Sequence, residues 1–280
     1  MKKISRRSFL AASGLTIAAL ALTACGGSAS TASSAASSVA ASSEAVSTSA
    51  AAAELTTVEA GKLTMATNAA FPPYEMTTDA GAFEGIDIDT AQAIADKLGL
   101  ELQIDDMDFD AALLSVQQGK ADIAMAGVTV TDERKNVMDF SDSYATGIQS
   151  IIVPEGSDIA SPDDLAGKMI GTQRGTTGYI YCSDDFGDDA VVAYDDGLTA
   201  VQALNNGQVD AVVIDNAPAK EFVAANPGLV LLDTSYAEED YAIGMAKGTT
   251  ALEDAVNAAL EELKADGTLQ SIVDKYITAE

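Results

Sequence analysis

One arginine and one aspartate stand in this sequence where they could bind the two charged ends of a small molecule. Arg134 follows the corner Ala126-Gly127, whose side chains are so small that a ligand could lie against the backbone. A guanidinium there can hold a carboxylate through two parallel hydrogen bonds. Asp215 ends an apolar run, and such an acid can accept hydrogen bonds from an ammonium group. Together the two side chains match a free amino acid zwitterion.

Both residues also have a purely structural interpretation. Arg134 lies in a predicted helix that Thr131 would cap, where it could pair in solvent with Asp132 or Asp139. Asp215 directly precedes Asn-Ala-Pro, so it could itself be the N-cap of a helix. The sequence alone leaves these alternatives open, and Asp215 could serve in both ways.

A glycine-containing turn supplies further hydrogen-bond donors. The turn runs from Gln173 to Gly178 between a predicted strand and a predicted helix, and its backbone N–H groups at Thr176 and Thr177 would favour an anion. Thr129 adds a hydroxyl group close to Arg134 in the sequence. The alternative is an ordinary capped helix start with no ligand.

The elements that must position these residues alternate between short apolar runs and helical periods, which predicts an α/β fold. Lys62–Thr67 is a predicted strand, and 68–75 is a predicted loop because its paired prolines cannot join a ladder. Apolar spacing predicts a helix over 87–98, with Asp87 or Asp89 as its cap. Further strands are predicted at 100–104, 122–125 and 168–172, a further helix around 109–116, and closing helices at 250–263 and Thr268–Tyr276.

An internal repeat indicates two lobes of similar build. Residues 112–124 align without gaps on residues 200–212, and each copy contains a helix, a glycine, an aspartate and a strand. Apolar runs at 150–154 and 241–246 are predicted to cross between the lobes as hinge strands. The first lobe would contain 59–150 and 245–280, and the second 151–244. Since ligands of open α/β sheets lie past the carboxyl ends of the strands, we expect a binding cleft between the lobes.

The first 58 residues are typical of an export signal followed by a tether. Residues 1–24 contain basic residues and then an apolar stretch that is too short and interrupted for a membrane anchor. Leu22-Thr23-Ala24-Cys25 resembles a lipoprotein lipobox, which implies lipid on Cys25 at the extracytoplasmic face of a cell membrane. Residues 5–10 also resemble a twin-arginine export signal, although Ala11 stands where lysine is common. Residues 25–58, rich in serine and alanine, predict a disordered tether.

Composition excludes several functional classes. With Lys+Arg 15 against Asp+Glu 43, the formal charge of −28 argues against binding to nucleic acid. The 280 residues contain no histidine, which removes Ser-His-Asp and Cys-His catalysis and the commonest zinc ligand. The acidic residues form no spaced ligand cluster, so we expect no metal and no other cofactor. Cys182 is expected to be a free, inert thiol.

Motifs spread over about residues 62–276 carry a family resemblance. They are Phe71-Pro72-Pro73-Tyr74-Glu75, Glu84-Gly85-Ile86-Asp87-Ile88-Asp89, Met107-Asp108-Phe109, the run from Ala126 to Arg134, Asp139-Phe140-Ser141-Asp142, Gly175-Thr176-Thr177 and Asp266-Gly267-Thr268. In combination they resemble the polar amino-acid-binding proteins of ABC importers, in family 3 of the extracellular solute-binding proteins. Glutamine- or histidine-binding types are nearest. The resemblance implies a two-lobe periplasmic-binding-protein type II fold with two hinge strands that closes around its ligand.

The resemblance also implies roles for the matched positions. The carboxylate of the ligand would be held by Arg134 and Thr177, and its amine by Asp215. The other positions would line the site: Phe71 and Phe109 against the side chain of the ligand, and Ala126, Gly127 and Thr129 against its amine and carboxylate.

Two positions depart from the pattern or vary with the ligand. Asn68 stands where binders of basic amino acids usually have an aspartate, and Gln173 occupies a variable position. We therefore expect a free amino acid with an uncharged polar side chain, bound by a monomer and delivered to ABC permease subunits. One alternative is an exported enzyme of the same fold, similar to cyclohexadienyl dehydratase, which would need an acid or base in the cleft. Another is an amino-acid-sensing surface module.

Overall fold

Strands and helices alternate throughout residues 55–277, the part of the chain that the computed structural model describes. The strands up to Phe140 are β1 (Lys62–Thr67), β2 (Ala70–Phe71), β3 (Glu75–Thr77), β4 (Phe83–Glu84), β5 (Glu101–Asp106), β6 (Ile123–Ala124) and β7 (Met138–Phe140). The helices of this stretch are α1 (Ile86–Leu98), α2 (Phe109–Gln117) and α3 (Asp132–Lys135). The predicted strand at 122–125 therefore shortens to the two residues of β6.

The remainder of the described chain continues the alternation. Its strands are β8 (Ala145–Pro154), β9 (Ile170–Gln173), β10 (Val191–Tyr194), β11 (Ala211–Asp215), β12 (Leu229–Leu231), β13 (Ala237–Tyr241) and β14 (Gly244–Ala246). Its helices are α4 (Thr177–Phe186), α5 (Gly197–Asn205), α6 (Asn216–Ala225), α7 (Thr250–Ala265) and α8 (Thr268–Tyr276). Two single 3-10 turns cover Pro162–Leu165 and Asp188–Ala190.

Two mixed sheets of similar order form the centres of the two lobes. The first has the order β5-β1-β6-β14-β7, with β1 parallel to β5 and β6 and with β14 antiparallel to its neighbours. The second has the order β10-β9-β11-β8-β12, with β9 parallel to β10 and β11, and β8 antiparallel to β11, β12 and β13. The small sheet β2-β3-β4 flanks the first lobe. This arrangement confirms the predicted two-lobe α/β fold.

The internal repeat has the same local structure in both lobes. Gly119 and Gly207 end the two helices with positive φ angles of 65° and 67°, which favour glycine. Asp122 accepts a hydrogen bond from the backbone N–H of Thr64, at 2.8 Å, and Asp210 accepts one from Met169, also at 2.8 Å. Each repeated aspartate thus fixes the strand that follows its glycine against a neighbouring segment of the same lobe.

The chain crosses between the sheets twice, at 141–144 and at 242–243. These segments join β7 to β8 and β13 to β14, and they bond to each other through Ser141, whose N–H donates to Ile243 O at 2.9 Å. The predicted crossing at 241–246 is confirmed. The predicted crossing at 150–154 is wrong, because those residues are the second half of β8, which pairs inside the second sheet from Ala145 onwards.

Helix α1 begins without the predicted aspartate cap. Gly85 precedes it with a φ of 138°, and a Cβ atom there would collide with the carbonyl oxygen of Tyr74. Asp87 is instead buried in the first turn, where its carboxylate accepts hydrogen bonds from Gly127 N and Tyr144 Oη. The predicted end of the helix at residue 98 is confirmed, because Gly99 follows it in the left-handed conformation.

The predicted loop at 68–75 contains more ladder pairing than its prolines suggested. Phe71 in β2 pairs with Glu75 in β3, and the chain reverses between them at Pro72-Pro73, which are joined by a cis peptide bond. The prolines occupy only the turn, so the flanking residues keep their backbone hydrogen bonds. The correction places Phe71 on an ordered strand end.

The closing helices pack on the first lobe, as predicted. Lys97 of α1 forms an ion pair with Glu262 of α7 at 3.0 Å, and Lys275 of α8 pairs with Asp89 at 2.7 Å. Apolar residues of α7 such as Val256 are buried against the first lobe. Within residues 55–277 no helix combines the length and apolar character that a membrane crossing requires.

Candidate functional site

A narrow hollow of about 20 Å³ lies between the two lobes. It is lined from the first lobe by Phe71, Phe109, Gly127, Thr129 and Arg134, and from the second by Gln149, Gln173, Thr176, Thr177, Ile214 and Asp215. All the predicted ligand-contacting residues except Asn68 and Ala126 are in this lining. The volume admits about one water molecule, so a larger molecule can enter only when the lobes move apart.

Arg134 is held in the hollow by backbone carbonyl groups. Helix α3 is capped by Thr131, and the guanidinium donates to Thr129 O at 2.7 Å and, across the lobes, to Gly175 O at 3.0 Å. Its carbon lies 5.3 Å from the centre of the Phe109 ring. Only 8% of the residue is exposed, and burial lowers the pKa of the guanidinium. The solvent-exposed pairing with Asp132 or Asp139 is therefore wrong.

Asp215 is a buried acid at the end of β11. It occupies the N-cap position of α6, but its side chain makes no capping hydrogen bond. The carboxylate instead accepts from Ile148 N at 2.9 Å and from Gln149 Nε2 at 2.6 Å. Burial raises its pKa to about 6. Within residues 55–277 neither Arg134 nor Asp215 takes part in an ion pair, so two opposite charges line one hollow without neutralising each other.

The turn before α4 brings hydroxyl and amide groups to the same hollow. Thr176 caps the helix, accepting from Tyr179 N at 3.4 Å. Thr177 is the first residue of α4 and only 2% exposed, and its hydroxyl donates to Glu239 Oε2 at 2.8 Å. As in any helix, the first N–H groups have no partner inside the helix and are free to bind an anion.

Two neutral amide side chains meet across the lobes. Gln173 Nε2 donates to Asn68 Oδ1 at 2.9 Å, and Asn68 Nδ2 donates to Met107 O at 3.0 Å. Both residues are buried. Asn68 therefore lies at the edge of the hollow, beside Gln173, although it is not itself part of the lining.

Aromatic rings and small residues shape the wall of the first lobe. Phe71 stacks on Tyr74 with ring centres 5.8 Å apart, and Tyr74 meets Tyr241 edge-on at 5.3 Å. A Cβ atom at Gly127 would lie 2.9 Å from Phe71 Cε1, so a side chain there would displace the ring. Ala126 is buried behind this corner.

Two buried carboxyl groups support the corner from behind. Asp87 accepts from Gly127 N at 3.0 Å and from Tyr144 Oη at 2.7 Å, and burial raises its pKa to about 6. Burial, reinforced by the charge of Asp87, raises the pKa of Glu75 well above its usual range. Asp87 thus joins the Gly127 corner to Tyr144, which lies in a crossing segment between the lobes.

Asp215 also borders a second, more open groove of about 590 Å³, which is lined among others by Tyr74, Lys220 and Tyr276. Arg134 is not part of that lining. Only the narrow hollow brings the two opposite charges together.

A family comparison agrees with this geometry. Residues 63–279 match the family described as bacterial extracellular solute-binding proteins, family 3. The chain belongs to this family. The matched residues include every residue that lines the hollow of this solute-binding protein.

Individual relatives and a solved structure are similar over most of the chain. The probable histidine-binding protein of Neisseria gonorrhoeae is 33% identical over 279 residues, which cover 96% of this chain and 95% of that protein. The L-cystine-binding protein TcyJ of Escherichia coli (strain K12) is 32% identical over 226 residues, which cover 79% and 85%. A structure of an ancestral arginine-binding protein bound to glutamine superposes with a TM-score of 0.75 at 40% identity, covering 79% of this chain and all of that chain (100%). All three are named as binding proteins rather than enzymes.

Sequence reasoning did not find three residues at the site of the solute-binding protein. Gln149 and Ile214 lie inside strands β8 and β11, where apolar neighbours dominate the pattern. Glu239 stands between Glu238 and Asp240, and the three acids together resemble a solvated surface. Only the alternation of strand faces distinguishes it, because Glu239 is buried while both neighbours are exposed.

The predicted signal peptide, the lipid on Cys25 and the tether up to residue 54 lie outside the described residues of the solute-binding protein. The predicted end of the tether at residue 58 is wrong, because Leu55 packs against the hydrophobic core and Val58 N donates to Asp122 Oδ1 at 2.7 Å. Within residues 55–277 no three His, Cys, Asp or Glu side chains are grouped so as to hold a metal ion. Cys182, predicted to be free, is a buried free cysteine, and burial raises the pKa of its thiol to about 12.

Proposed function

We propose that this protein captures a free amino acid between its lobes and delivers it to the permease of an ABC importer. The observation that carries the proposal is the pair Arg134 and Asp215, two buried charges of opposite sign that line one hollow without pairing. Burying unpaired charges costs free energy, and a zwitterion supplies the missing partner to each of them.

The carboxylate of the ligand is assigned to Arg134 and to the turn before α4. Two of the five guanidinium N–H groups donate to carbonyl oxygens, so the others are available for a carboxylate. The N–H groups at Thr176 and Thr177 add donors at the helix terminus, where the dipole favours an anion.

The ammonium group is assigned to Asp215, with Thr129 and the Ala126-Gly127 corner beside it. The ligand side chain would lie against Phe71 and Phe109, whose rings line the hollow. Opening at the crossing segments would admit the ligand, and closing would restore contacts such as that between Arg134 and Gly175.

The amide pair Asn68 and Gln173 favours a ligand with an uncharged polar side chain. Amides can both donate and accept hydrogen bonds, and neither residue supplies the negative charge that a basic side chain would require. Relatives named for histidine, cystine and arginine, the last of them bound to glutamine, fit the broader class of free amino acids. Glutamine is the ligand that we favour.

The N-terminal segment would place this binding function at a membrane. We propose export through the signal at 1–24, cleavage before Cys25, lipid on its thiol, and a tether up to residue 54 that holds a monomeric receptor on the extracytoplasmic face. The crossing segments set the lobe boundaries that we propose: residues 55–140 with 244–277 form one lobe, and residues 145–241 form the other.

A thermal-shift screen of the twenty standard amino acids tests the proposal. A ligand at about 100 times its dissociation constant should add about 2.7 kcal/mol to the free energy of unfolding. We expect one or a few polar amino acids to raise the melting temperature, with glutamine foremost. The absence of any shift among the twenty would refute the assignment.

The same samples distinguish a receptor from an enzyme of this fold. Mass spectrometry of the ligand released after prolonged incubation should recover the amino acid unchanged. A product of altered mass would support the enzyme and count against the transport function.

A further inference from the structure

Glu239 is a buried carboxylate that no predicted role includes. It lies on β13 with 7% of its surface exposed, and three donors converge on its Oε2 atom. They are the hydroxyl of Thr177 at 2.8 Å, Nε2 of Gln149 at 3.0 Å and the hydroxyl of Thr129 at 3.2 Å. All three partners line the hollow, so Glu239 forms a layer directly behind it.

The donors around Glu239 fix the direction of two hydroxyl groups. Three donors on one oxygen is the bonding of a carboxylate, which can only accept. A threonine hydroxyl has a single hydrogen and two lone pairs. Because Thr129 and Thr177 both give that hydrogen to Glu239, each oxygen has only lone pairs left for the hollow.

We infer that Glu239 is a positioning residue that builds the ammonium half of the ligand site. It turns the Thr129 and Thr177 hydroxyls so that both present acceptors to the ligand, next to the carboxylate of Asp215. The two hydroxyl oxygens lie 3.5 Å apart, and with Asp215 they offer three acceptors for the three N–H groups of an ammonium. The inference rests on the proposed function, because it assumes an amino acid in the hollow.

Gln149 keeps the two acids in a fixed relation. Its Nε2 atom donates to Asp215 Oδ2 at 2.6 Å and to Glu239 Oε2 at 3.0 Å, so both of its amide hydrogens are engaged. Burial lowers the pKa of Arg134, and the charge of Glu239 partly opposes that shift. The site therefore carries two acids near one guanidinium, an excess that favours the ammonium group.

The arrangement also draws the ammonium site from both lobes. Thr129 belongs to the first lobe, whereas Gln149, Thr177, Asp215 and Glu239 belong to the second. Thr129 also forms a backbone bridge to Tyr241, two residues after Glu239, and this bridge holds its hydroxyl near that carboxylate. One role implied by the family resemblance changes accordingly, since Thr177 would reach a carboxylate through its backbone N–H and not through its hydroxyl.

Glu239→Gln tests the inference directly. The amide has nearly the same shape but offers both a donor and an acceptor, so it no longer dictates the direction of the hydroxyls. In calorimetric titrations with L-glutamine, and with L-arginine and L-histidine as further probes, we expect affinity to fall about tenfold or more. The matched control is Glu238→Gln, which removes the same charge from an exposed neighbour on the same strand and should bind within about twofold of the unmodified protein.

Testing Glu239→Gln in backgrounds with and without the two threonine hydroxyls distinguishes a positioning role of Glu239 from a merely structural one. With Thr129 and Thr177 both changed to valine there is no hydroxyl left to orient, so adding Glu239→Gln should lower the ligand affinity by less than about threefold. With both changed to serine, which keeps a hydroxyl at each position, Glu239→Gln should again cause its full loss of affinity. An equal loss in the valine and serine backgrounds overturns the inference, as does unchanged affinity of Glu239→Gln alone. If the unmodified protein binds none of the twenty amino acids, the proposed function fails as well.

Discussion

At the scale of single residues, the site is defined by charges that the protein buries without pairing. Arg134 satisfies two N–H groups on carbonyl oxygens, and Asp215 satisfies its oxygens on N–H groups, so both keep their charge in a closed hollow. Neutral hydrogen bonds offset only part of the free-energy cost of removing an ion from water. A ligand of complementary charge can offset the remaining cost when it binds.

Removing the guanidinium should weaken binding strongly. For Arg134→Ala we expect the affinity for an amino acid to fall about 30-fold or more, because the ligand carboxylate would be buried with no cation. The matched control is Arg174→Ala, an exposed arginine that pairs with Asp195 at 3.4 Å. Calorimetry of both variants should show a loss only for the first, and an equal loss in both would contradict the role of Arg134.

Acidification should weaken binding through Asp215. Burial raises its pKa to about 6, and only the ionised form attracts an ammonium group. Affinity should be constant above about pH 7 and fall, by up to about tenfold per pH unit, as pH drops below about 6. In Asp215→Asn the affinity should be low throughout and this pH dependence should disappear. Titrations at several pH values measure both curves.

The sequence predicted the charged residues Arg134 and Asp215 better than it predicted the neighbouring residues that hydrogen-bond to the lining of the hollow. Arg134 was accessible to prediction because a small-residue corner and a capped turn precede it, and Asp215 because it follows an apolar run. Glu239 was not, because its burial depends on which face of β13 meets the hollow, and that is decided by pairing with β8. The lining role of Gln149 likewise depends on strand register, which one strand alone does not encode.

At the scale of elements, the buried acid Asp87 joins α1 to the Gly127 corner and to the crossing segment at Tyr144, and Glu75 of β3 is buried close to it. The sequence suggested Asp87 as a helix cap, since acids are common in a first turn. The local pattern could not reveal that Gly85 brings the helix start against Tyr74 and turns Asp87 inward. The paired prolines likewise predict a loop, whereas in the structure they occupy only the turn between β2 and β3.

Glu75→Gln should stabilise the protein at alkaline pH. Burial raises the folded-state pKa of Glu75, so the folded protein keeps a proton that the unfolded chain releases above about pH 4.3. The free energy of unfolding therefore falls as pH rises from that value towards the folded-state pKa. Glutamine has no proton to lose, so the free energy of unfolding of the variant should be higher than that of the unmodified protein near pH 8 and should differ little from it near pH 4.

Urea unfolding at both pH values gives the comparison. Glu84→Gln, an exposed glutamate on neighbouring β4, serves as the control and should change stability little at either pH. A variant that is less stable than the unmodified protein near pH 8 would show that Glu75 is ionised in the fold.

At the scale of the whole molecule, two lobes of one build face each other across a hollow. The repeat around Gly119 and Gly207 predicted this architecture, because glycine stops and aspartates mark the same joint in each lobe. The position of the first crossing was not predicted, because β8 is apolar along most of its length and its pattern does not show where it leaves one sheet for the other. The start of β8 in the second sheet is set by its pairing with β13, which begins at Ala145.

Ligand binding should make the molecule more compact. The closed hollow has no room for an amino acid to pass, so an opened form must exist, and in the proposed function a bound zwitterion would join Arg134 of one lobe to Asp215 of the other. Small-angle X-ray scattering should record a smaller radius of gyration with saturating L-glutamine. The double variant Arg134→Ala with Asp215→Ala should show no change at the same concentration, and equal compaction in both would contradict the clamp.

The place of β14 in the first sheet has a consequence for biosynthesis. This strand lies between β6 and β7, yet it leaves the ribosome about a hundred residues after them. The second lobe is encoded without interruption and can finish folding while its partner still lacks a central strand. The N-terminal half of the first lobe must therefore stay incomplete, with an unpaired edge exposed, until nearly the whole polypeptide has been made.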